Sequence, residues 1–319
     1  MPDPATDSDA HAWYKALLER CKALAPVITA VAHPCDATAI GAAVEAADLG
    51  LIEPILVGPE AKVRQAASDA KVDIARFQLI DVPHSHAAAA KAVELIFCGK
   101  ARLLMKGSLH TDELMHEVVA TGTGLKTERR ISHVYLMDVP GRATPLLVTD
   151  AAVNIAPDLL DKRDIVQNAI DLAHVMGFPL PKVAILSAVE TVNPQLQSTI
   201  DAAALCKMAD RRQIVGGILD GPLAFDNAID EGAAKEKGIV SPVAGHADIL
   251  VVPDLVSGNI LAKQMIFMGL ADAAGVVLGA RVPIILTSRA DAQRTRIASC
   301  AVAVLMSGQT VLAVKSPLA

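Results

Sequence analysis

The chain has 319 residues, a formal charge of −6 and 3% aromatic residues, and it is long enough for two hydrophobic cores because single cores stop growing at about 250–300 residues. Scattered lysines and arginines with few aromatics exclude the basic, stacking surface of a nucleic-acid module, so no nucleic-acid partner is expected. The positive mean hydropathy comes from short Ala, Val, Leu and Ile runs, none near the roughly 18 uninterrupted apolar residues of a membrane span, so no membrane partner is expected.

Met1 to Leu18 carries Asp3, Asp7, Asp9, His11 and Lys15 without an apolar core. It reads as neither a signal nor a transit peptide, and a cytoplasmic location is expected. Val27 to Ala32 is a strand-like apolar run, followed by helical spacing over Asp36 to Leu49 behind an Asp36 cap. Pro54 to Val57 starts the next unit, and Ala101 to Met105 leads through Gly107-Ser108 into a helix over Asp112 to Ala120. Ile131 to Val139 and Pro145 to Val148 are expected strands, which makes the first half a β/α layer structure with a parallel sheet. Arg163 to Met176 reads as a helix stopped by Gly177, Val183 to Ser187 as a strand, and Leu196 to Ala209 as a helix. Then come a strand over Ile214 to Leu219, a helix over Asp226 to Lys237 and a strand over Asp248 to Val252. Val282 to Val314 is read as strand, helix and a final strand in Thr310 to Val314. The expected architecture is α/β with two three-layer α/β/α domains: residues 1–148 with 281–319, and residues 149–280. No Gly-, Ser- or Pro-rich linker separates them, which points to a tight cleft between the halves.

Five cysteines, Cys21, Cys35, Cys98, Cys206 and Cys300, are odd in number and widely spaced, which fits neither a disulfide framework nor a zinc site. They are expected to be buried structural thiols, with Cys35, after His33-Pro34, the one singled out. A P-loop, a Gly-x-Gly-x-x-Gly fingerprint, a Gly-x-Ser-x-Gly elbow, a His-Glu-x-x-His pair and a dense Asp/His cluster are all missing from the sequence, so no metal is expected.

The chemistry is concentrated where strands end. Ser288-Arg289 follows the run Pro283 to Leu286 and precedes a helix; a hydroxyl, unpaired N–H groups and a guanidinium there can hold phosphate or carboxylate. The same residues also fit an N-cap and a solvated surface cation. Asp254, Ser257, Gly258 and Asn259 follow the run ending at Val252, with Lys263 one helical turn beyond Asn259. Lys106, Gly107, Ser108 and Thr111 form a third such turn, in which Gly107 can let backbone N–H groups reach a phosphate. The loop from Gly122 through Lys126, Arg129 and Arg130 to Ser132-His133 is either a nucleotide-phosphate site or a charged surface turn. Asp220-Gly221-Pro222 reads as a turn or a source of a base, Glu190 and Asn193 close another strand end, and His33 and His246 read as structural histidines.

In order along the chain, Met105-Lys106-Gly107-Ser108-Leu109-His110-Thr111, Ser132-His133, Thr149-Asp150 through Asn154, Ser187 to Glu190, Asp220-Gly221-Pro222, Pro253 to Asn259 and Leu286 to Arg289 resemble the phosphate acetyl/butyryl transferase family. The resemblance covers roughly residues 20 to 319. It implies an isocitrate/isopropylmalate dehydrogenase-like pair of α/β domains with the active site in the cleft between them. It implies exchange of coenzyme A and inorganic phosphate on a short acyl group, with acyl-CoA, phosphate and acyl phosphate as partners and a homodimeric assembly. Coenzyme A is then a co-substrate, and no permanently bound cofactor is implied. Ser288, Arg289 and Asp291 are the implied catalytic residues. Lys106, Ser108, Thr111, Ser132, Asp254, Ser257, Gly258, Asn259 and Lys263 are the implied substrate contacts, and Lys126, Arg129 and Arg130 the implied coenzyme A contacts. Thr295 stands where acetyl-type members carry a proposed base and Phe267 where they carry an Arg, so the butyryl branch is expected to be the nearer one. Other readings are an acyl-carrier-protein-dependent transacylase, a metal-dependent hydroxy-acid dehydrogenase and a coenzyme A-sensing binding protein.

Overall fold

The computed structural model describes residues 12–286 and 291–314. The chain divides into two compact units, Met1–Arg129 with Ala274–Ala319, and Arg130–Ala273. The first opens with α1 (Ala12–Cys21), β1 (Val27–Ala32), α2 (Ala37–Asp48), β2 (Ile52–Gly58), α3 (Glu60–Ala70), β3 (Gln78–Asp81), α4 (Ser85–Phe97), β4 (Leu103–Lys106) and α5 (Thr111–Val118). The second holds β5 (Ser132–Asp138), β6 (Leu146–Thr149), α6 (Leu159–Met176), β7 (Lys182–Leu186), α7 (Gln197–Asp210), β8 (Ile218–Leu223), α8 (Phe225–Ile229), α9 (Glu231–Glu236), β9 (Ile249–Val251) and α10 (Leu255–Phe267). β10 (Asp272–Leu278), β11 (Ile284–Ile285) and α11 (Gln293–Val314) lead back into the first unit.

In the first unit the strand order is β3-β2-β1-β4-β11-β10, parallel except for β10 against β11. Strands covered on both faces read as mostly apolar runs, as β1 does with Val27, Ala30, Val31 and Ala32 buried. From β1 the chain winds outward to β2 and β3, then crosses back to β4 on the other side of β1. Right-handed crossovers therefore put α2 and α3 on one face and α4 on the other. Ligands bind at the carboxyl ends of strands where winding reverses, which here means Ala32 of β1 and its register partner Lys106 of β4. Because Ile285 of β11 is in register with Met105, the chain beyond β11 leaves from the same edge.

The second unit has the order β5-β6-β9-β7-β8, with β5 antiparallel and the rest parallel. Its core packs Leu146, Val148, Ala184, Leu186, Leu250 and Val252 against Ala228, Val243 and Ala262. After β7 the chain runs through α7 to β8, whereas after β9 it enters α10, which packs on β5 and β6. The carboxyl ends of β7 and β9 are thus a second point where winding reverses.

Several sequence expectations need correction. The unit boundaries fall at 129/130 and 273/274 rather than at 148/149 and 280/281, because β5 and β6 pair with each other, β6 pairs with β9, and β10 pairs with β11. Asp220-Gly221-Pro222 is part of β8, not a turn. β8 ends the sheet order, where a proline with no N–H is tolerated, and a side chain at Gly221 would come within 2.7 Å of Ile185 O. The helix expected over Asp226 to Lys237 is broken at Asp230, whose side chain accepts the Ala233 N–H and caps α9. Thr310–Val314 is the end of α11, not a strand; a short apolar run does not distinguish the two by pattern alone. Cys21 and Cys300 are buried, but Cys98 is exposed and Cys35 and Cys206 are half-buried.

Candidate active site

At the β1/β4 ends of the first unit the chain is drawn into one knot of hydrogen bonds. The Gly107 N–H donates to Ala32 O at 2.8 Å and the Ser108 N–H to His33 O at 2.9 Å. A side chain at Gly107 would meet Ala32 O and His33 O at 2.5 Å, so only glycine lets the two strand ends approach. The N–H groups expected to face a phosphate are therefore spent on protein carbonyls. Ser108 Oγ donates to His33 O at 2.8 Å, accepts from the Cys35 N–H at 3.2 Å and lies 3.1 Å from His33 Nδ1. Lys106 Nζ, buried, donates to Gly107 O and Leu109 O, both at 3.2 Å. Thr111 opens α5 and is exposed. Burial pushes the Cys35 thiol up to about 11, with Asp36 adding to it and Lys62 opposing, so this cysteine is a thiol rather than a thiolate at neutral pH.

The second unit carries a cavity of about 740 Å³ at the β7 and β9 ends, walled by Leu186, Val252, Leu261 and Met265, with Ser187, Ser257 and Gln264 as its polar groups. A mostly apolar cleft with a few placed polar groups is the usual form of a small-molecule site. Asp254 caps α10: its carboxylate accepts the Ser257 N–H at 2.9 Å and the Ser257 hydroxyl at 3.0 Å. Asn259 Nδ2 donates to Ala151 O at 3.3 Å. Gly258 is buried, and a side chain there would lie 2.6 Å from Val252 Cγ2 and 2.9 Å from Asp150 O; its role in the described structure is close packing. Lys263 is exposed on α10.

Asp150 is the centre of a buried polar turn that the sequence reading did not single out by itself. Its carboxylate accepts from the Ala152, Val153 and Asn154 N–H groups and from Asn154 Nδ2. Burial nevertheless raises its pKa, against the lowering effect of those bonds. Asn154 Oδ1 accepts from Arg130 Nε at 2.7 Å, and the Arg130 guanidinium lies 3.3 Å from Asp161. The Arg130 N–H donates to Asp164 at 2.9 Å. Ser132 is fully buried and accepts from Asn168 Nδ2 at 2.9 Å. Arg130 and Ser132 thus tie β5 to α6 and the Asp150 turn. In the first unit Lys126 and Arg129 are exposed, and their loop is held by Lys126 pairing with Ala280 and by the Thr127 hydroxyl donating to Gly279 O at 2.6 Å.

Ser288 and Arg289 lie outside the described residues. Asp291 is half-buried just ahead of α11, and Thr295 is on that helix. Phe267 is 71% exposed at the end of α10 and does not line the cavity, which takes Gln264, Met265 and Met268 instead. Among the described residues no group of three or more His, Cys, Asp or Glu could hold a metal ion, and no helix is long and apolar enough to cross a membrane.

Residues 85–304 match the family model described as "phosphate acetyl/butaryl transferase". A phosphate acetyltransferase of Rhizobium meliloti is 66% identical over 296 residues, 93% of this chain and 94% of its own. A phosphate butyryltransferase of Clostridium beijerinckii is 38% identical over 93% of this chain and 98% of its own. The structure of a branched-chain phosphotransacylase from Enterococcus faecalis V583 has a TM-score of 0.77 at 29% identity, covering 88% of this chain and 99% of its own. The lean toward the butyryl branch, drawn from Phe267 and Thr295, is corrected by the higher identity to an acetyltransferase.

Proposed function

The chain belongs to the phosphate acetyl/butyryl transferase family, and from this we propose that it exchanges coenzyme A and inorganic phosphate on an acetyl group: acetyl-CoA + phosphate ⇌ CoA + acetyl phosphate. The observation that carries this reading is 66% identity to an acetyltransferase across nearly the whole of both chains. Coenzyme A is a co-substrate, and the transfer is direct, without a covalent enzyme intermediate. The thiolate attacks the acyl carbonyl and phosphate leaves, so the protein's task is to align two anions and stabilise the developing oxyanion.

Arg289 holds the phosphate by its fork and Ser288 bonds phosphate or carbonyl oxygen. Lys106 and Thr111 supply further phosphate contacts from the β4 edge, with Ser108 fixing the turn. Asp254, Ser257, Asn259 and Lys263 present the start of α10 to the acyl-bearing arm of coenzyme A, and Lys126 and Arg129 contact its outer phosphates. A base must take the thiol proton, and Asp291 is the carboxylate nearest Arg289 in sequence. An isocitrate/isopropylmalate dehydrogenase-like arrangement belongs to the same reading and is supported by the doubly wound strand orders. So does a homodimer, supported by Val256, Ile260 and Phe267, exposed apolar residues four and seven apart along α10.

The test is trapping of acetyl phosphate as the hydroxamate after incubation with acetyl-CoA and phosphate. Exchange of labelled coenzyme A into acetyl-CoA without phosphate separates direct transfer, which gives none, from an acyl-enzyme, which gives exchange.

A further inference from the structure

We propose that His33 is the proton acceptor of this reaction, its Nε2 taking the thiol proton of coenzyme A and passing it to the departing phosphate. This role presupposes the acyl transfer to phosphate described above.

His33 directly follows β1, at the strand edge where the winding reverses. Its backbone is left-handed, with φ 56°, a conformation that non-glycine residues adopt at a cost and that concentrates at functional sites. Three hydrogen bonds onto its carbonyl hold it there, from the Cys35 N–H, the Ser108 N–H and the Ser108 hydroxyl. Ser108 Oγ spends its proton on His33 O at 2.8 Å and accepts from the Cys35 N–H. With the hydroxyl proton on His33 O, the same oxygen, 3.1 Å from His33 Nδ1, accepts from the ring, the tautomer in which Nδ1 carries the hydrogen and the lone pair is on Nε2. A fixed tautomer with a free lone pair is what a general base requires.

The surroundings fit the charge that such a base acquires. Burial lowers the His33 pKa from 6.5, and Lys62 on α3 lowers it further, while Glu113 on α5 and Asp36 ahead of α2 raise it. The ring is neutral at pH 7 and ready to accept. Glu113 Oε2 is buried with no hydrogen-bond partner, an orphaned carboxylate oxygen whose charge favours the imidazolium that forms during transfer. The balance closes without another reactant. The S–H proton goes to Nε2, the C–S bond forms, the carbonyl-carbon-to-phosphate C–O bond breaks, and the proton moves from Nε2 to the phosphate oxygen, leaving His33 neutral.

The experiment compares kcat/KM for coenzyme A, with acetyl phosphate as donor, in wild type, His33→Asn, His33→Gly and Asp291→Asn. Asparagine tolerates the left-handed backbone and can still donate to Ser108. Losing a general base costs about 10²–10⁴-fold, so His33→Asn is expected to fall by that much while circular dichroism and thermal unfolding match wild type. The wild-type rate is expected to drop as pH falls below 6.5, and that acid limb is expected to vanish in His33→Asn. Added imidazole is expected to restore part of the activity of His33→Gly, a result that a purely structural role does not give. A folded His33→Asn within about threefold of wild type, an unchanged acid limb, or a loss confined to Asp291→Asn overturns the assignment. Inactivity of the wild-type protein would instead strike at acyl transfer itself.

Discussion

Lys162 Nζ lies 2.6 Å from Asp201 Oδ2 with both side chains only 8% exposed, so a buried ion pair joins α6 to α7 behind β7. Gln197 Nε2 donates to the other carboxylate oxygen at 2.8 Å. Removing one partner of such a pair strands a buried charge and typically costs about 3–5 kcal/mol, whereas replacing both by apolar residues is close to neutral. Lys162→Ala is expected to lower the unfolding free energy read from urea titration by that amount, and Lys162→Met with Asp201→Leu to recover most of it. A Lys162→Ala protein as stable as wild type contradicts this.

Gly258→Ala is expected to destabilise the second unit by about 1–3 kcal/mol, the usual cost of overpacking, because the new methyl would sit 2.6 Å from Val252 Cγ2 and 3.0 Å from Ala151 Cα. Thermal unfolding measures this. An unchanged Tm together with weakened coenzyme A binding would return Gly258 to the role of a ligand contact.

His133 is fully buried, 4.2 Å from the Tyr135 ring, and burial pulls its pKa down from 6.5 to about 3. Between those values the unfolded chain binds a proton that the folded one refuses, so stability is expected to fall as pH drops from 6.5 toward 3. His133→Phe is expected to flatten that acid-side loss, read as urea midpoints across the range. An equally steep slope in the variant assigns the acid sensitivity elsewhere.

The alternation of strands and helices was legible because buried parallel strands read as apolar runs and Asp36 and Gly177 mark helix ends. The strand expected over Ile214 to Leu219 meets β8 only at Ile218 and Leu219; the rest of β8 escaped because Gly221 and Pro222, which read locally as a turn, serve an edge strand packed on Ile185. The order of the polar blocks led to the family, but not to what each residue does. Ser132, Gly258 and Arg130 resolve into packing and hydrogen bonding with Asn168, Asp150 and Asn154, partners that no local pattern announces. His33 read as structural because its partner Ser108 is 75 residues away; a strand end followed by His-Pro-Cys-Asp was the available signal.

Arg289→Ala is expected to reduce kcat/KM for phosphate by roughly 10- to 150-fold, matching about 1.5–3 kcal/mol for a charge-assisted hydrogen bond. Arg289→Lys should recover only part, since an ammonium lacks the bidentate fork. Arg129→Ala, which removes an exposed side chain, is expected to cost far less. Equal losses in the two alanine variants would move the phosphate site away from Arg289.

The most direct measurement is phosphate-dependent release of free thiol from acetyl-, propionyl- and butyryl-CoA at matched concentrations. The expected result is thiol release that requires phosphate, with kcat/KM highest for acetyl-CoA and declining by degrees with chain length, since one methylene in a pocket is worth only about 1–3 kcal/mol. Thiol release independent of phosphate, or no turnover of any of the three, would contradict assignment of this chain as a phosphate acyltransferase.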